Sequence, residues 1–133
     1  MPSSGGQWLV ASRQGRVLGM RTIFHEARDS LKPFFEPKSI AVVGASERAG
    51  SIGRTLVWNL VTSPFGGLML PINPKRASVL GIRAYPTLAD APSPIDLAII
   101  ATPANTVPTL VGECQKQNIP AALIISAGFA EMG

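Results

Sequence analysis

The sequence holds one Cys and one His among 133 residues. A single Cys excludes a disulfide framework within the chain, and with one His it cannot furnish a Cys/His zinc site. The same scarcity removes most forms of self-contained nucleophilic catalysis, which set a His beside a Ser or Cys. No apolar run approaches the roughly 18 residues of a membrane-spanning helix, so no membrane is expected as a partner. Aromatics are few, at five Phe, two Trp and one Tyr. No basic stripe interleaves with them and no nucleic-acid-binding motif is present, so nucleic acid is not an expected partner either. Twelve Lys and Arg against eight Asp and Glu leave a net charge of +4. The excess is spread along the chain, which suits a solvated surface with a few bases placed for an anionic ligand.

What remains is a chain of single-domain length, 46% apolar, able to bury a core. Thirteen Gly and twelve Pro make it turn often. Residues 1–30 show no sustained period. Trp8–Ala11 is too short for a signal-peptide core and has no basic lead-in. This stretch is expected to be a mobile N-terminal extension, and the expected location of the protein is the cytoplasm. His25 lies in it, outside the regular pattern.

Residues 31–133 are regular and are expected to form the domain. Ser39–Val43 reads as a buried strand ending at Gly44. Ile52, Leu56, Val57, Leu60 and Val61 recur at helical spacing, predicting a helix from about Ile52 to Thr62. Leu68–Ile72 reads as a second strand, with Pro71 marking an edge or irregular position. A weak short strand is expected near Ile82–Ala84, then a single turn through Leu88–Asp90 capped by Thr87. Asp96–Ala101 reads as a strand. Asn105 is placed to cap a helix carrying Val107, Leu110, Val111 and Cys114 on one face, stopped by Asn118 and Pro120. Ala121–Ile125 reads as the last strand. Apolar strands alternating with helices predict an α/β fold: a Rossmann-like parallel sheet of about five strands with helices on both faces.

Ligands of such sheets bind beyond the carboxyl ends of the strands. Four segments fall there. The first is the ten-residue loop Gly44–Gly53. Gly44 permits its turn, Gly50 and Gly53 allow close backbone approach, and Ser46 and Ser51 offer hydroxyls. The following helix contributes free N–H groups and a partial positive charge, a set that suits a diphosphate. An ordinary Gly-rich turn would have the same composition. The spacing is neither GxGxxG nor a Walker A loop. The second segment, Asn73–Arg76, puts Lys75 and Arg76 where an NAD site would have an acid. Bases there suit a ribose phosphate, either the 2′-phosphate of NADP or the 3′-phosphate of coenzyme A, or they are solvated turn charges. The third and fourth, Thr102–Asn105 and Ser126–Gly128, offer hydroxyls at the sheet edge or are simple turns. Cys114 reads as a core residue, with no neighbour to lower its pKa.

Taken in order, FFEPKSIAVVGASERAGSIGRTLVWNL, LPINPK, LGIRAYPTLAD, IDLAIIATPANTVP and AALIISAGFAEMG closely resemble the CoA-binding domain of nucleoside-diphosphate-forming acyl-CoA synthetases. ADP-forming acetate–CoA ligase typifies that family, which is related to the succinyl-CoA synthetase alpha subunit. The resemblance spans residues 31–133. It implies that Gly44, Ala45, Ser46, Gly50 and Ser51 cradle CoA phosphates and that Lys75 lies at the nucleotide end. It further implies that Thr102, Pro103, Ser126, Ala127 and Gly128 line the CoA path. Arg54 and Arg76 join them from charge and position alone.

The family's reaction runs through a phosphohistidine in a following domain and a nucleotide in an ATP-grasp domain, the expected seat of nucleotide and Mg. His25 precedes the first strand and cannot be that histidine, so no catalytic residue and no metal ligand is expected in this chain. The chain is therefore expected to bind CoA or acyl-CoA without turning it over, with ligase domains or a ligase subunit as partner. Its uncovered sheet face would favour self-association. Three other readings stay open: a regulatory module fused to an acetyltransferase, a stand-alone CoA-binding protein, and an NADP-dependent oxidoreductase fragment.

Overall fold

The computed structural model describes residues 7–12, 36–63 and 65–126. Its elements follow from local chemistry. Ser39–Val43 (β2) is buried along its whole length, as a β-branched run between two helical layers must be. Ser51 starts the helix Ile52–Thr62 (α1): its hydroxyl accepts the Arg54 amide at 3.1 Å. Leu68–Ile72 (β3) follows, then Leu97–Ile100 (β6), the helix Val107–Lys116 (α2) and Ala121–Ser126 (β7). The end of α2 is a Schellman motif. Asn118 takes a left-handed φ of 57°, and the Ile119 amide reaches back to the Cys114 carbonyl at 3.0 Å.

All pairings of the main sheet are parallel, and its order is β1-β7-β6-β2-β3, where β1 is Gln7–Ser12. The chain leaves β2 through α1 for β3 on one side, and leaves β6 through α2 for β7 on the other. The point where the topology switches therefore lies between β2 and β6. Side chains alternate cleanly across the sheet. Ala41, Val43, Leu70, Ile100 and Ile124 share one core with Val107 and Cys114 of α2. Ile40, Val42, Leu97 and Ile99 share the other with Val57 of α1. The two helices thus cover opposite faces, as right-handed crossovers in opposite directions require.

The α/β parallel sheet is as expected, but the fifth strand differs. The short strand expected near Ile82–Ala84 is present as Ile82–Arg83 (β5), but it pairs with Ser78–Val79 (β4) in a small antiparallel hairpin outside the main sheet. Gly81 at φ 82° and Leu80 at φ 51° make its turn. The fifth strand is β1, from the stretch expected to carry no element. Two residues past β5, Tyr85 bridges Ile72 and covers the free edge of β3. Pro71 sits on that edge strand, as read, with its carbonyl accepting the Tyr85 amide at 2.9 Å.

Cys114 is fully buried against the sheet. Burial pushes its thiol up from 9.0 to about 11, and the Glu113 carboxylate adds to the rise. The unfolded chain would ionise this thiol before the folded one, so its contribution to stability is complete below pH 9.0 and is lost as pH rises toward 11. At mildly alkaline pH the native thiol should resist iodoacetamide. Labelling within minutes of mixing in native buffer, at the rate of the urea-unfolded chain, would contradict this burial.

Candidate functional site

The switch point is built by backbone contact. Gly44 follows β2 with φ 93°, and a Cβ there would stand 2.6 Å from the Ala101 carbonyl oxygen, at the end of β6. Gly53, in the first turn of α1, rests on the Gly44 carbonyl so closely that a Cβ would collide with it. The helix N-terminus is thereby drawn against the carboxyl ends of the two central strands. Ser51 takes the Arg54 amide, and its own amide bonds the Arg48 carbonyl at 3.2 Å. The Ile52 and Gly53 amides remain as the donors that an α-helix cannot satisfy internally.

Three chain segments are laced together beside that helix end. Asn73 donates its Nδ2 to the Ala45 carbonyl at 2.8 Å. Its Oδ1 accepts the amides of Lys75 at 2.7 Å and Arg76 at 3.1 Å. Arg54 donates Nη1 to the Glu47 carbonyl at 2.6 Å. The Glu47 carboxylate accepts the Leu80 amide at 2.7 Å and pairs with Arg76 at 2.6 Å. The Lys75 side chain is exposed, with no carboxylate in ion-pair reach among the described residues.

On the α2 side of Gly44 opens a cavity of about 450 Å³. Val43, Ile72, Pro74 and Leu88 make it mainly apolar; Thr102 and Asn105 border it. Thr106 donates its hydroxyl to the Pro103 carbonyl at 2.6 Å, so the 2.6 Å contact between Thr102 and Thr106 has Thr102 as donor. That leaves the Thr102 oxygen as an acceptor toward the cavity.

The expected site residues divide accordingly. Gly44 and Thr102 line the cavity, and Ala45, Ser46, Gly50 and Ser51 shape the adjacent loop. Ser46 and Ser51 spend their oxygens on the Arg48 and Arg54 amides, so both are turn and cap residues within the loop. Gly50 has open space around it and is required by its φ of 82°. Arg76 and Arg54 are held by protein acceptors, unlike Lys75. Pro103 sits at the cap of the short turn Ala104–Thr106. Ser126 ends β7, its side chain lying outside the described residues together with Ala127 and Gly128. Asn105 does not cap α2; it is exposed at the cavity rim, and the helix begins from Thr106 without a side-chain cap. Thr87 meets the Asp90 carboxylate at 2.8 Å rather than a backbone amide. Asn73 and Glu47 were missed as the stitches of the site. Asn-Pro-Lys signals a side-chain turn, but reach to Ala45 or Leu80 across dozens of residues has no local signal.

The fold and loop define a doubly wound α/β domain with a Gly-rich turn at its switch point. A family model described as a CoA binding domain matches residues 38–132, and the chain belongs to that family. ADP-forming acetate–CoA ligase II of Archaeoglobus fulgidus is 42% identical over 117 residues, 88% of this chain and 17% of that protein. A trans-feruloyl-CoA synthase from an unknown prokaryotic organism is 40% identical over 87% of this chain and 16% of its own length. Acetyl-coenzyme A synthetase 1 of Ca. Korarchaeum cryptofilum, solved with phosphate and ADP, superposes with a TM-score of 0.72 at 37% identity. That match covers 77% of this chain and 22% of the solved one. The chain thus spans less than a fifth of these two curated relatives. No helix among the described residues is long and apolar enough to cross a membrane.

Proposed function

We propose that this chain binds coenzyme A as the CoA-binding domain of an ADP-forming acid–CoA ligase. The observation that carries the reading is the contact of Gly53 on Gly44, which presents the α1 N-terminus at the switch point beside the exposed Lys75. The Ile52 and Gly53 amides and the helix dipole would hold the diphosphate. Lys75 would meet the 3′-phosphate. The adenine would enter the cavity, whose wall residue Pro74 adjoins Lys75 in sequence. The pantetheine arm would run past Thr102 and Pro103 toward Ser126, Ala127 and Gly128. Acyl transfer would then need chemistry from other ligase domains, where nucleotide and Mg would belong. The acyl groups named for the relatives, acetate and feruloyl, differ. The portion of the ligase that this family supplies is therefore read as common to both.

Calorimetry with CoA and dephospho-CoA tests the reading. Lys75→Met should weaken CoA about two- to fivefold, the scale of one exposed charge contact. It should leave dephospho-CoA unchanged. Equal losses for both ligands would remove the assigned role of Lys75. Preferential binding of NADPH over CoA would replace the reading altogether.

A further inference from the structure

We propose that Glu47 is a positioning residue for ligand binding: it fixes the phosphate-side loop against the Lys75 turn and the β4–β5 hairpin. The inference rests on the reading of the site as a CoA site. Glu47 stands within the Gly44–Gly53 loop, where a carboxylate should repel an anionic ligand. Its bonds explain its presence. One carboxylate oxygen accepts the Leu80 amide at 2.7 Å, at the hairpin turn where Leu80 holds an unfavourable positive φ of 51°. The other pairs with Arg76 at 2.6 Å, and Arg76 Nε also donates to the Ser78 carbonyl at 3.2 Å. The backbone carbonyl of Glu47 receives Arg54 from α1 at 2.6 Å. One residue thus joins the loop, the helix, the Lys75 turn and the hairpin. Asn73, bonded to Ala45, is the only other side chain among the described residues that joins the loop to that turn. Arg76, so occupied, is a structural cation, and of the two bases in that turn Lys75 is the one without an ion pair among the described residues.

Coulomb repulsion and positioning predict opposite signs for removing Glu47, which makes the proposal testable. Removing a carboxylate beside an anion site would, by charge alone, tighten binding. If Glu47 positions, Glu47→Ala should weaken CoA and dephospho-CoA alike by about three- to tenfold, the scale of a partly exposed pair plus one charged hydrogen bond. Glu47→Gln keeps an acceptor for the Leu80 amide and should recover part of the loss. Arg76→Met should weaken both ligands equally, and the double variant should fall short of the summed losses. Hydrogen exchange without ligand gives an independent readout: the Leu80 amide should lose protection in Glu47→Ala and keep most of it in Glu47→Gln, and the thermal midpoint should fall by a few °C in Glu47→Ala and by less in Glu47→Gln.

Unchanged or tighter CoA binding by folded Glu47→Ala overturns the proposal while leaving the CoA reading intact. So does a loss confined to CoA in Arg76→Met, which would make Arg76 a ligand contact. If the unaltered chain binds neither CoA nor dephospho-CoA, the CoA reading falls and takes this proposal with it.

Discussion

Gly53→Ala should abolish measurable CoA binding and lower the thermal midpoint by roughly 10 °C, from an overpacking cost of about 2 kcal/mol in a domain of this size. In an open helix the same change would stabilise by about 1 kcal/mol. Here the new Cβ would strike the Gly44 carbonyl oxygen, with the Ser46 amide nitrogen 3.3 Å away. Those neighbours are backbone, so relief requires α1 to slide away from the strand ends. A shift of even an ångström carries the Ile52 and Gly53 amides from hydrogen-bond distance of the phosphate position to beyond it. Gly50→Ala supplies the contrast. Nothing crowds Gly50, so an alanine there would be strained by the φ of 82° alone, at about 1–2 kcal/mol. It should lower the midpoint less and leave CoA binding detectable. Equal CoA affinity in Gly53→Ala and the unaltered chain would contradict the close-packed switch point.

The second large effect is on stability. Ile100 has no exposed surface and lies in β6 between Val43 of β2 and Ile124 of β7. Ile100→Ala removes three carbons from that core and should cost about 3–5 kcal/mol. Against a total of about 5–15 kcal/mol, much of the folded population is at risk. Urea unfolding by circular dichroism should show a sharply lowered midpoint or no cooperative transition. Leu68→Ala makes the control, since Leu68 is 51% exposed and surface changes stay within about 0.5 kcal/mol. Saturating CoA should restore part of the Ile100→Ala midpoint, because ligand binding only the folded state stabilises it by mass action.

Much of the architecture is legible in the sequence because apolar periodicity reports burial directly. Ser39–Val43 and the Val107–Cys114 face lie where their patterns place them, since no competing local preference opposes them. The short strand at Ile82–Arg83 is legible, but its sheet is not: a two-residue strand has no periodicity to say what it pairs with, and the decisive fact is a turn through Leu80 and Gly81. β1 was missed for another reason. Gln7–Ser12 is a parallel edge strand whose partner, β7, lies at the far end of the sequence, and such pairing has no local signature. Asn105 looked like a cap by residue type, but the turn Ala104–Thr106 intervenes and Pro108 already suits the first helical turn.

The site was legible in kind, less so in role. Glycine spacing announced a backbone approach, yet only the folded chain separates Gly53, which is crowded, from Gly50, which holds a positive φ in open space. Charge alone grouped Lys75, Arg76 and Arg54. Their separation depends on Glu47, an acid that a search for phosphate-binding bases passes over.

The most direct test of the account is a CoA titration of the nitrogen-15-labelled chain followed by NMR amide shifts. The account predicts the largest movements at Gly50, Ile52, Gly53, Lys75 and Thr102, at the carboxyl edge of the sheet. Amides at the opposite edge, such as Ser39 and Leu97, should stay in place. No movement at millimolar CoA, or movement centred on that opposite edge, would contradict it.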